Sequence, residues 1–501
     1  MKCFTKKPNK TVLAASCMAA MLVLAGCSSD DDDIGTGGTD DGTVAVDTDG
    51  DSTADGDGAA DGDTTADGDG AADADGTADG TATAEAAGAI FALTNRHDPA
   101  IQIGASDDAV SDPSQVNEVV AFSRSADGAL EQIGVFPTGG LGENIRASGA
   151  NPLASQDPLI VSKDNRFVFA VNAGSESISS FVINDDFSLS DGTLDISTTG
   201  SSGAQNPVSL TIFENTLYVV NTGVFPEVDG SPATAIPDVR NRVNSSIIGF
   251  TVNDDGTLTE LANSELPGVG ANAGSIEFSS NGQFLYVTER RTNDILTIPL
   301  DGNRLPIPND AGSFDFLALT SQTEQPFGTD LYPTDNGDIL LVSEGNNGAT
   351  GLSALSTYLI EDNGTLTGIS LSSGVEGDPL VTGFTFGCWV EFVETPTGDF
   401  AYVSNTPDGV ITSYAVGDEG GLSVLESSAG VTGIEGDDTQ NGAGVLDVEI
   451  VFPFLYQVVN NDGRIAQFVI NDDGSLDRQL DAEVVDTDLF RGGMFVGVAG
   501  F

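Results

Sequence analysis

The sequence predicts an all-β fold, a seven-bladed β-propeller, over residues 88–501. After Gly88 the chain consists of short runs rich in Val, Ile, Phe and Tyr, separated by Gly, Asn and Asp, a pattern typical of strands and turns. These runs recur about every 55 to 60 residues, which indicates a repeat architecture. The alternatives are a closed propeller and a linear β-solenoid, and the order of the strands decides between them.

Each repeat contains a run that ends in a polar residue. We call this run the marker run, and it is the second strand of its blade. A third strand follows it, and a turn such as Asn471–Gly474 then leads to a fourth strand. Asp-Gly and Asn-Gly pairs suit such hairpins because the turn requires a positive φ. The seven marker runs are Phe91–Asn95, Phe169–Asn172, Tyr218–Asn221, Tyr286–Glu289, Leu341–Glu344, Tyr402–Asn405 and Tyr456–Asn460.

The first strand of each blade precedes its marker run, except in the first repeat. No strand pattern precedes the run at Phe91, whereas an extra one, Met494–Ala499, closes the sequence. We therefore expect the last strand to complete the first blade, which closes the ring without free sheet edges. A β-solenoid does not explain this displaced strand.

Residues 1–26 have the features of a signal peptide: four lysines, then an apolar stretch shorter than the roughly 20 residues of a transmembrane helix. The stretch ends in Leu24–Cys27, which resembles the lipobox of bacterial lipoproteins. The resemblance implies cleavage before Cys27 and a lipid on its thiol, and Ser28 and Ser29 favour sorting to the outer membrane. The alternative is an ordinary secretory signal.

Residues 27–87 form an acidic linker. They contain 18 Asp and Glu85 but no Lys or Arg, and almost no bulky apolar side chain. Such a segment buries too little apolar surface to fold, so we expect a disordered, self-repelling tether. Its Asp-Gly runs faintly resemble calcium loops, but they lack the bidentate Glu of an EF-hand. Calcium-dependent adhesion through the tether is a weaker alternative.

The predicted propeller is itself strongly acidic. Residues 88–501 hold 77 − 19 = 58 acidic and 17 − 4 = 13 basic side chains, a net charge near −45. This charge argues against nucleic acids or anionic membranes as partners, so we expect membrane contact only through the Cys27 lipid. Cys388 is the remaining cysteine, which leaves no internal disulfide. We expect a monomer.

The repeats resemble the lactonase-like propellers, a family that includes 6-phosphogluconolactonase and 3-carboxymuconate-cyclising enzymes. The resemblance rests on the marker runs, the Asp-Gly-Thr-Leu turns and the segments Phe136–Gly140, Val287–Arg290, Gln325–Gly328 and Cys388–Val390. It implies a seven-bladed ring that binds, hydrolyses or isomerises a small anionic lactone or sugar acid at the mouth of its channel. The alternative is a non-catalytic scaffold that binds a ligand or a partner of the cell envelope.

Two marker runs in neighbouring repeats end in Glu289 and Glu344, where the other five end in Asn. Paired carboxylates can supply a general base, because each raises the pKa of the other. They can also bind Ca²⁺ or Mg²⁺ through oxygen ligands. We expect no required cofactor beyond such an ion. The alternative is that both are solvated acids at the rim.

Basic residues concentrate in the long connections that follow the marker runs and fourth strands. We expect Arg146, Arg290 and Arg491 to stabilise developing negative charge on a substrate. His97, the single histidine, is a weaker candidate that rests on His, Glu and Arg in some carboxymuconate-cyclising relatives. One His and one Cys are too few for a conventional zinc site, and no glycine-rich phosphate loop predicts a nucleotide. The long connections are Arg96–Val116, Thr138–Asp157, Thr222–Ser245 and Ala429–Gly444.

Overall fold

The structure is a computed structural model, and the following parts of the chain are described. They are residues 86–96, 116–143, 153–190, 196–223, 244–290, 292–309, 313–314, 316–321, 323–334, 336–375, 377–432, 444–459, 464–479, 482–483 and 495–501. The signal peptide and the acidic linker lie outside these residues. Within the described residues, no helical segment could span a lipid bilayer.

The described elements are strands, apart from two short 3-10 turns at Asn346–Gly348 and Thr406–Asp408. The first half of the chain contains β1 (Ala86–Thr94), β2 (Glu118–Ser125), β3 (Leu130–Pro137), β4 (Leu159–Val161), β5 (Phe167–Asn172), β6 (Ser177–Val182), β7 (Ile196–Ser197), β8 (Pro207–Phe213), β9 (Thr216–Asn221), β10 (Ser246–Val252), β11 (Leu258–Glu260), β12 (Leu266–Pro267), β13 (Ala273–Phe278), β14 (Phe284–Glu289), β15 (Asp294–Pro299) and β16 (Leu317–Thr320).

The second half continues the same order of strands. It contains β17 (Pro326–Tyr332), β18 (Ile339–Glu344), β19 (Ala354–Ile360), β20 (Leu366–Ser370), β21 (Gly387–Thr395), β22 (Gly398–Asn405), β23 (Val410–Val416), β24 (Leu422–Val431), β25 (Val445–Val451), β26 (Phe454–Val459), β27 (Arg464–Ile470), β28 (Leu476–Arg478), β29 (Ala482–Glu483) and β30 (Phe495–Gly500).

These strands form seven antiparallel sheets, which confirms the predicted propeller. Five sheets have four strands, and in the other two the outermost strand is divided into two short pieces, β11 with β12 and β28 with β29. Blades follow one another in the chain, and the first strand of each lies innermost, around the central channel. The marker-run strands β5, β9, β14, β18 and β26 are buried at every position, because neighbouring blades pack on both of their faces.

The last strand closes the ring as predicted. β30 pairs antiparallel with β1, with Ile90 opposite Gly500 and Leu93 opposite Gly497. Two further backbone hydrogen bonds join Ala89 to Phe501, at 3.1 and 3.0 Å. The first sheet therefore has the order β3-β2-β1-β30, and both ends of the propeller lie in one blade.

The two faces of the ring differ. Marker runs end on one face, which we call the loop face, and the connections after them and after the fourth strands leave from it. The opposite face, the hairpin face, carries the tight turns. There Gly474 adopts φ +80° and lies against the ring of Phe400 in the preceding blade. The hydroxyl of Tyr402 donates to the Gly474 carbonyl at 3.1 Å, so this hairpin also joins two blades.

Candidate functional site

The segment Leu153–Asp157, which we call the plug, closes the channel at the loop face. It forms the end of the long connection before β4. The side-chain amide of Gln156 donates to the Thr329 carbonyl on β17 at 2.8 Å and to the Val390 carbonyl on β21 at 3.1 Å. These strands belong to the two blades opposite β4 in a ring of seven. Gln156 therefore spans the channel.

Further contacts fix the plug in place. The Trp389 indole N–H donates to the Ser155 carbonyl at 2.8 Å, and the Ser155 hydroxyl donates to the Val208 carbonyl at 2.6 Å. A side chain at Gly328 would overlap the amide oxygen of Gln156, which explains the glycine at that position. Gln156 is only 2% exposed. The plug therefore closes the predicted channel mouth at the loop face.

Beneath the plug, carboxyl groups surround the channel. Four innermost strands carry an acid opposite the first residue of a marker-run motif: the pairs are Glu277 with Tyr286, Asp330 with Leu341, Glu391 with Tyr402, and Glu449 with Tyr456. The equal register places these four acids at one height in four consecutive blades. Asp447 lies two residues nearer the loop face, and Asp157 ends the plug. We call the six residues the acidic channel cluster.

Some of these carboxylates have a structural role. An Asp330 carboxylate oxygen accepts the Phe392 backbone N–H of the next blade at 2.6 Å, and Asp447 accepts the Val498 N–H at 3.1 Å. Thr211 occupies an equivalent position in another blade and binds the following strand in the same way. The inner edges of the sheets would otherwise expose unpaired N–H groups, so these side chains join the blades laterally.

Burial raises the pKa of every carboxyl in the cluster. It raises the pKa of Asp157 to about 8, helped by the charge of Asp330, and the pKa of Asp330 to about 7. The pKa values of Glu277, Glu391, Asp447 and Glu449 rise well above the usual range, by burial first and then by their acidic neighbours. Five of the six side chains are partly exposed, and Asp447 is buried. The channel therefore disfavours an anionic ligand.

The two predicted catalytic glutamates are buried. Glu289 is 6% exposed, and one carboxylate oxygen accepts the Gly270 N–H at 2.8 Å while the other accepts the Thr292 hydroxyl at 3.1 Å. Glu344 is 0% exposed and accepts the hydroxyls of Ser321 at 2.6 Å and Ser356 at 2.8 Å. Burial raises the pKa of Glu344. These contacts give both residues structural partners, and their catalytic role stays a prediction.

Arg290 lies at the loop-face end of β14, beside the plug. Its guanidinium donates to the Asn272 carbonyl at 3.0 Å and to the Ala273 carbonyl at 3.1 Å, and it stacks 5.1 Å from the centre of the Phe327 ring. The carbonyl of Gly274, the residue after Ala273, accepts the Gln156 backbone N–H at 2.9 Å. A partly exposed positive charge is thus fixed at the edge of the plug.

The other predicted site residues, Arg146, Arg491, His97 and Cys27, lie outside the described part of the chain. Cys388 is buried, and burial raises the pKa of its thiol to about 12, which makes it a packing residue rather than a nucleophile. We did not predict the plug or the acidic channel cluster from the sequence. The signal for the cluster was present, because an acid recurs at one register position in four successive first strands.

Comparison with known proteins supports the fold. No family model and no curated protein matches the sequence. Two crystal structures described as a "putative 6-phosphogluconolactonase" are similar: that from Bacteroides uniformis has a TM-score of 0.51 and 16% identity, and that from Bacteroides fragilis has 0.50 and 15%. A protein from Lactobacillus plantarum gives 0.50 and 12%. Each match covers 82% of this chain, and 98 to 99% of the other. These similarities confirm the β-propeller fold.

Proposed function

We propose that this chain, which has the lactonase-like propeller fold, binds a small anionic lactone or sugar acid on its loop face, above the plug. The observation that carries the proposal is the fixed guanidinium of Arg290, which stacks on Phe327 at the edge of the plug. A guanidinium held in one orientation recognises carboxylate oxygens well. The names of the two Bacteroides proteins support the substrate class.

We propose hydrolysis as the reaction at this site. Glu289 or Glu344 would accept a proton from water while the water oxygen attacks the lactone carbonyl. The ring C–O bond then breaks as the glutamate returns this proton to the leaving ring oxygen, which gives a hydroxy acid. Arg290, with Arg146 and Arg491, would stabilise the negative charge on the carbonyl oxygen, and His97 is a weaker candidate. The raised pKa of Glu344 suits a general base.

A specific observation favours the non-catalytic alternative. In Glu289 and in Glu344, each of the two carboxylate oxygens accepts a hydrogen bond from another part of the protein. A base must reach the proton that it abstracts, so turnover requires a loop to move away from these glutamates. A propeller that only binds its ligand, or an envelope partner, needs no such movement.

Binding and turnover are separable by experiment. Calorimetry with aldonic acids and carboxylated lactones tests binding to the whole chain, and Arg290→Ala should weaken it at least tenfold. Arg166→Ala is the matched control, because Arg166 stacks 4.7 Å from the Phe167 ring on the hairpin face. Equal affinities for wild type and Arg290→Ala would contradict the proposed site.

Proton release measured with the same lactones tests hydrolysis. The double variant Glu289→Gln, Glu344→Gln should lose turnover and keep the far-ultraviolet spectrum of the folded chain. The control is Glu131→Gln, Glu260→Gln, which removes the same charge from exposed positions. Binding without proton release in the wild type would favour the scaffold function.

We further propose that a lipid on Cys27 holds the protein at the outer membrane through the acidic linker. Labelled fatty acid supplied to growing cells should enter the wild-type chain and not a Cys27→Ser variant. Incorporation into both chains would contradict the anchor.

A further inference from the structure

Four successive blades place one residue with a left-handed backbone at the loop face, directly before the first strand of the blade. The backbone carbonyl of each accepts the N–H of the residue that follows the marker run, at 2.9 to 3.3 Å. We call these four the rim residues, because the first strands surround the channel. They are Asn206, Asn272, Gln325 and Phe386, with φ of 67°, 58°, 69° and 50°.

Two of the rim residues are asparagines, and their side chains differ. The Asn272 side-chain oxygen accepts the Arg290 guanidinium at 3.2 Å. Asn206 is 4% exposed, and neither its amide oxygen nor its amide nitrogen has a hydrogen-bond partner in the described part of the chain. The hydroxyl of Thr222, which is 0% exposed, likewise has no partner among the described residues. Such buried atoms cost free energy, which a bound polar group recovers.

These polar atoms belong to the same part of the loop face as Arg290. The Thr222 N–H donates to the Asn206 carbonyl at 2.9 Å, and the Thr222 carbonyl accepts the Asn272 N–H at 3.2 Å. Asn272 in turn holds the Arg290 guanidinium through its carbonyl at 3.0 Å. The plug bonds the carbonyl of Val208, two residues further into the blade than Asn206. Asn206 therefore lies on the loop-face side of the plug.

We propose that Asn206 and Thr222 bind a hydroxyl group of the sugar acid whose carboxylate Arg290 binds, an inference that rests on the proposed function of the loop face. A guanidinium only donates hydrogen bonds, so it fits a carboxylate, which only accepts them. The Asn206 amide both donates and accepts, and a hydroxyl does the same. A second carboxylate would leave the amide oxygen of Asn206 unbonded. The rim therefore selects a polyhydroxylated acid over an acid without hydroxyls.

Calorimetry with two acids of equal chain length tests this selection. Gluconate carries hydroxyls along its six-carbon chain, and hexanoate carries none. The whole wild-type chain should bind gluconate at least tenfold more tightly than hexanoate. Asn206→Gly removes the amide, and glycine retains the positive φ of this position. This variant should bind gluconate at least tenfold more weakly than the wild type does, and hexanoate within twofold of it.

Asn263→Gly is the matched control, because Asn263 is exposed, lies outside the rim and has φ 68°. Its affinities for both acids should stay within twofold of the wild type, whereas Arg290→Ala should weaken both. Wild-type protein that binds neither acid would overturn the proposed function, and this inference with it. Binding that depends on Arg290 but is equal for the two acids, or unchanged in Asn206→Gly, would overturn the hydroxyl site alone.

Thr222→Val provides a second test, which keeps the branched shape of the side chain and removes its hydroxyl. Because this hydroxyl has no partner among the described residues, the free energy of unfolding without ligand should not fall. Gluconate affinity should fall at least threefold, and hexanoate affinity should stay within twofold. A lower stability in urea with unchanged gluconate affinity would show that the hydroxyl serves the fold, and would overturn the proposal.

Discussion

Asn221 and Glu344 occupy equivalent positions at the ends of their marker runs and make equivalent contacts. Asn221 accepts the Thr198 hydroxyl at 2.8 Å and donates to Ser246, and Glu344 accepts hydroxyls from the matching loop and third strand. In both blades the side chain joins the end of the marker run to the loop that enters the blade. The position requires a side-chain oxygen that accepts a hydrogen bond, and either a carboxylate or an amide provides one.

The Gln156 side chain makes three hydrogen bonds across the channel. Gln156→Ala would leave the buried carbonyls of Thr329 and Val390, and the Val390 N–H, without their partners. Because each unsatisfied group costs roughly 1–3 kcal/mol, we expect the free energy of unfolding to fall by about 3 kcal/mol. Urea unfolding followed by Trp389 fluorescence measures the loss.

Gln283→Ala is the control for this prediction. Gln283 is exposed on the hairpin face, so its truncation should change the free energy of unfolding by less than about 0.5 kcal/mol. A loss in Gln156→Ala no larger than that in the control would show that the plug does not stabilise the ring.

At the level of elements, each hairpin between a third and a fourth strand also contacts the neighbouring blade. Gly474 shows why Asp-Gly suits this position, since a Cβ there would lie 2.5 Å from the Phe400 ring. The turn therefore needs glycine for two reasons, its positive φ and the space that the aromatic ring occupies. Tyr456 bonds the Gly128 carbonyl of the next hairpin in the same manner, at 3.0 Å.

Two alanine substitutions separate these reasons. Gly268 has φ +84° and no atom within 4 Å of the added Cβ, whereas Gly474 has φ +80° and lies on Phe400. Gly268→Ala should cost the backbone strain alone, about 1 kcal/mol. Gly474→Ala should cost about 1–3 kcal/mol more, because Phe400 must move. Denaturant unfolding of both variants is the measurement, and equal losses would contradict packing between the blades.

At the level of the whole molecule, the ring brings acids from several blades around one channel. These acids make the free energy of unfolding depend on pH. The carboxyls of the cluster have pKa values raised by burial, to about 7 for Asp330 and about 8 for Asp157. In the unfolded chain the same groups titrate near 4. Between these values the folded chain holds protons that the unfolded chain releases, so stability falls as pH rises.

We predict that, in chelator-treated buffer, the free energy of unfolding decreases from pH 5 to pH 8. The slope is about 1.4 kcal/mol per pH unit for each proton that folding takes up. Exposed hairpin acids such as Asp255 have lowered pKa values, owing to hydrogen bonds from Thr257. Protonation of these acids destabilises the fold, and it occurs only below about pH 4. Stability should therefore be greatest near pH 4 to 5.

Chemical denaturation at a series of pH values tests this dependence. The variant Asp447→Asn, Glu449→Gln should show a shallower slope than the wild type, because two of the titrating groups are gone. A free energy of unfolding that stays constant or rises between pH 5 and pH 8 would contradict the prediction.

The number of blades, the turn positions and the closure by the last strand were predictable from the sequence. These features follow from local patterns: strand periodicity, the positive φ of Asp-Gly turns, and a count that leaves one strand missing at the start and one extra at the end. The structure shows in addition that marker-run strands such as Phe284–Glu289 and Ile339–Glu344 are buried at every position.

No local pattern predicted the plug, the acidic channel cluster or the contacts of Glu289 and Glu344. Gln156 bonds residues 173 and 234 positions away, and such a contact exists only after seven blades have closed into a ring. The four acids at one register look like ordinary charges within their own strands. They become buried and mutually repulsive because ring closure brings innermost strands from different repeats to face the same narrow channel.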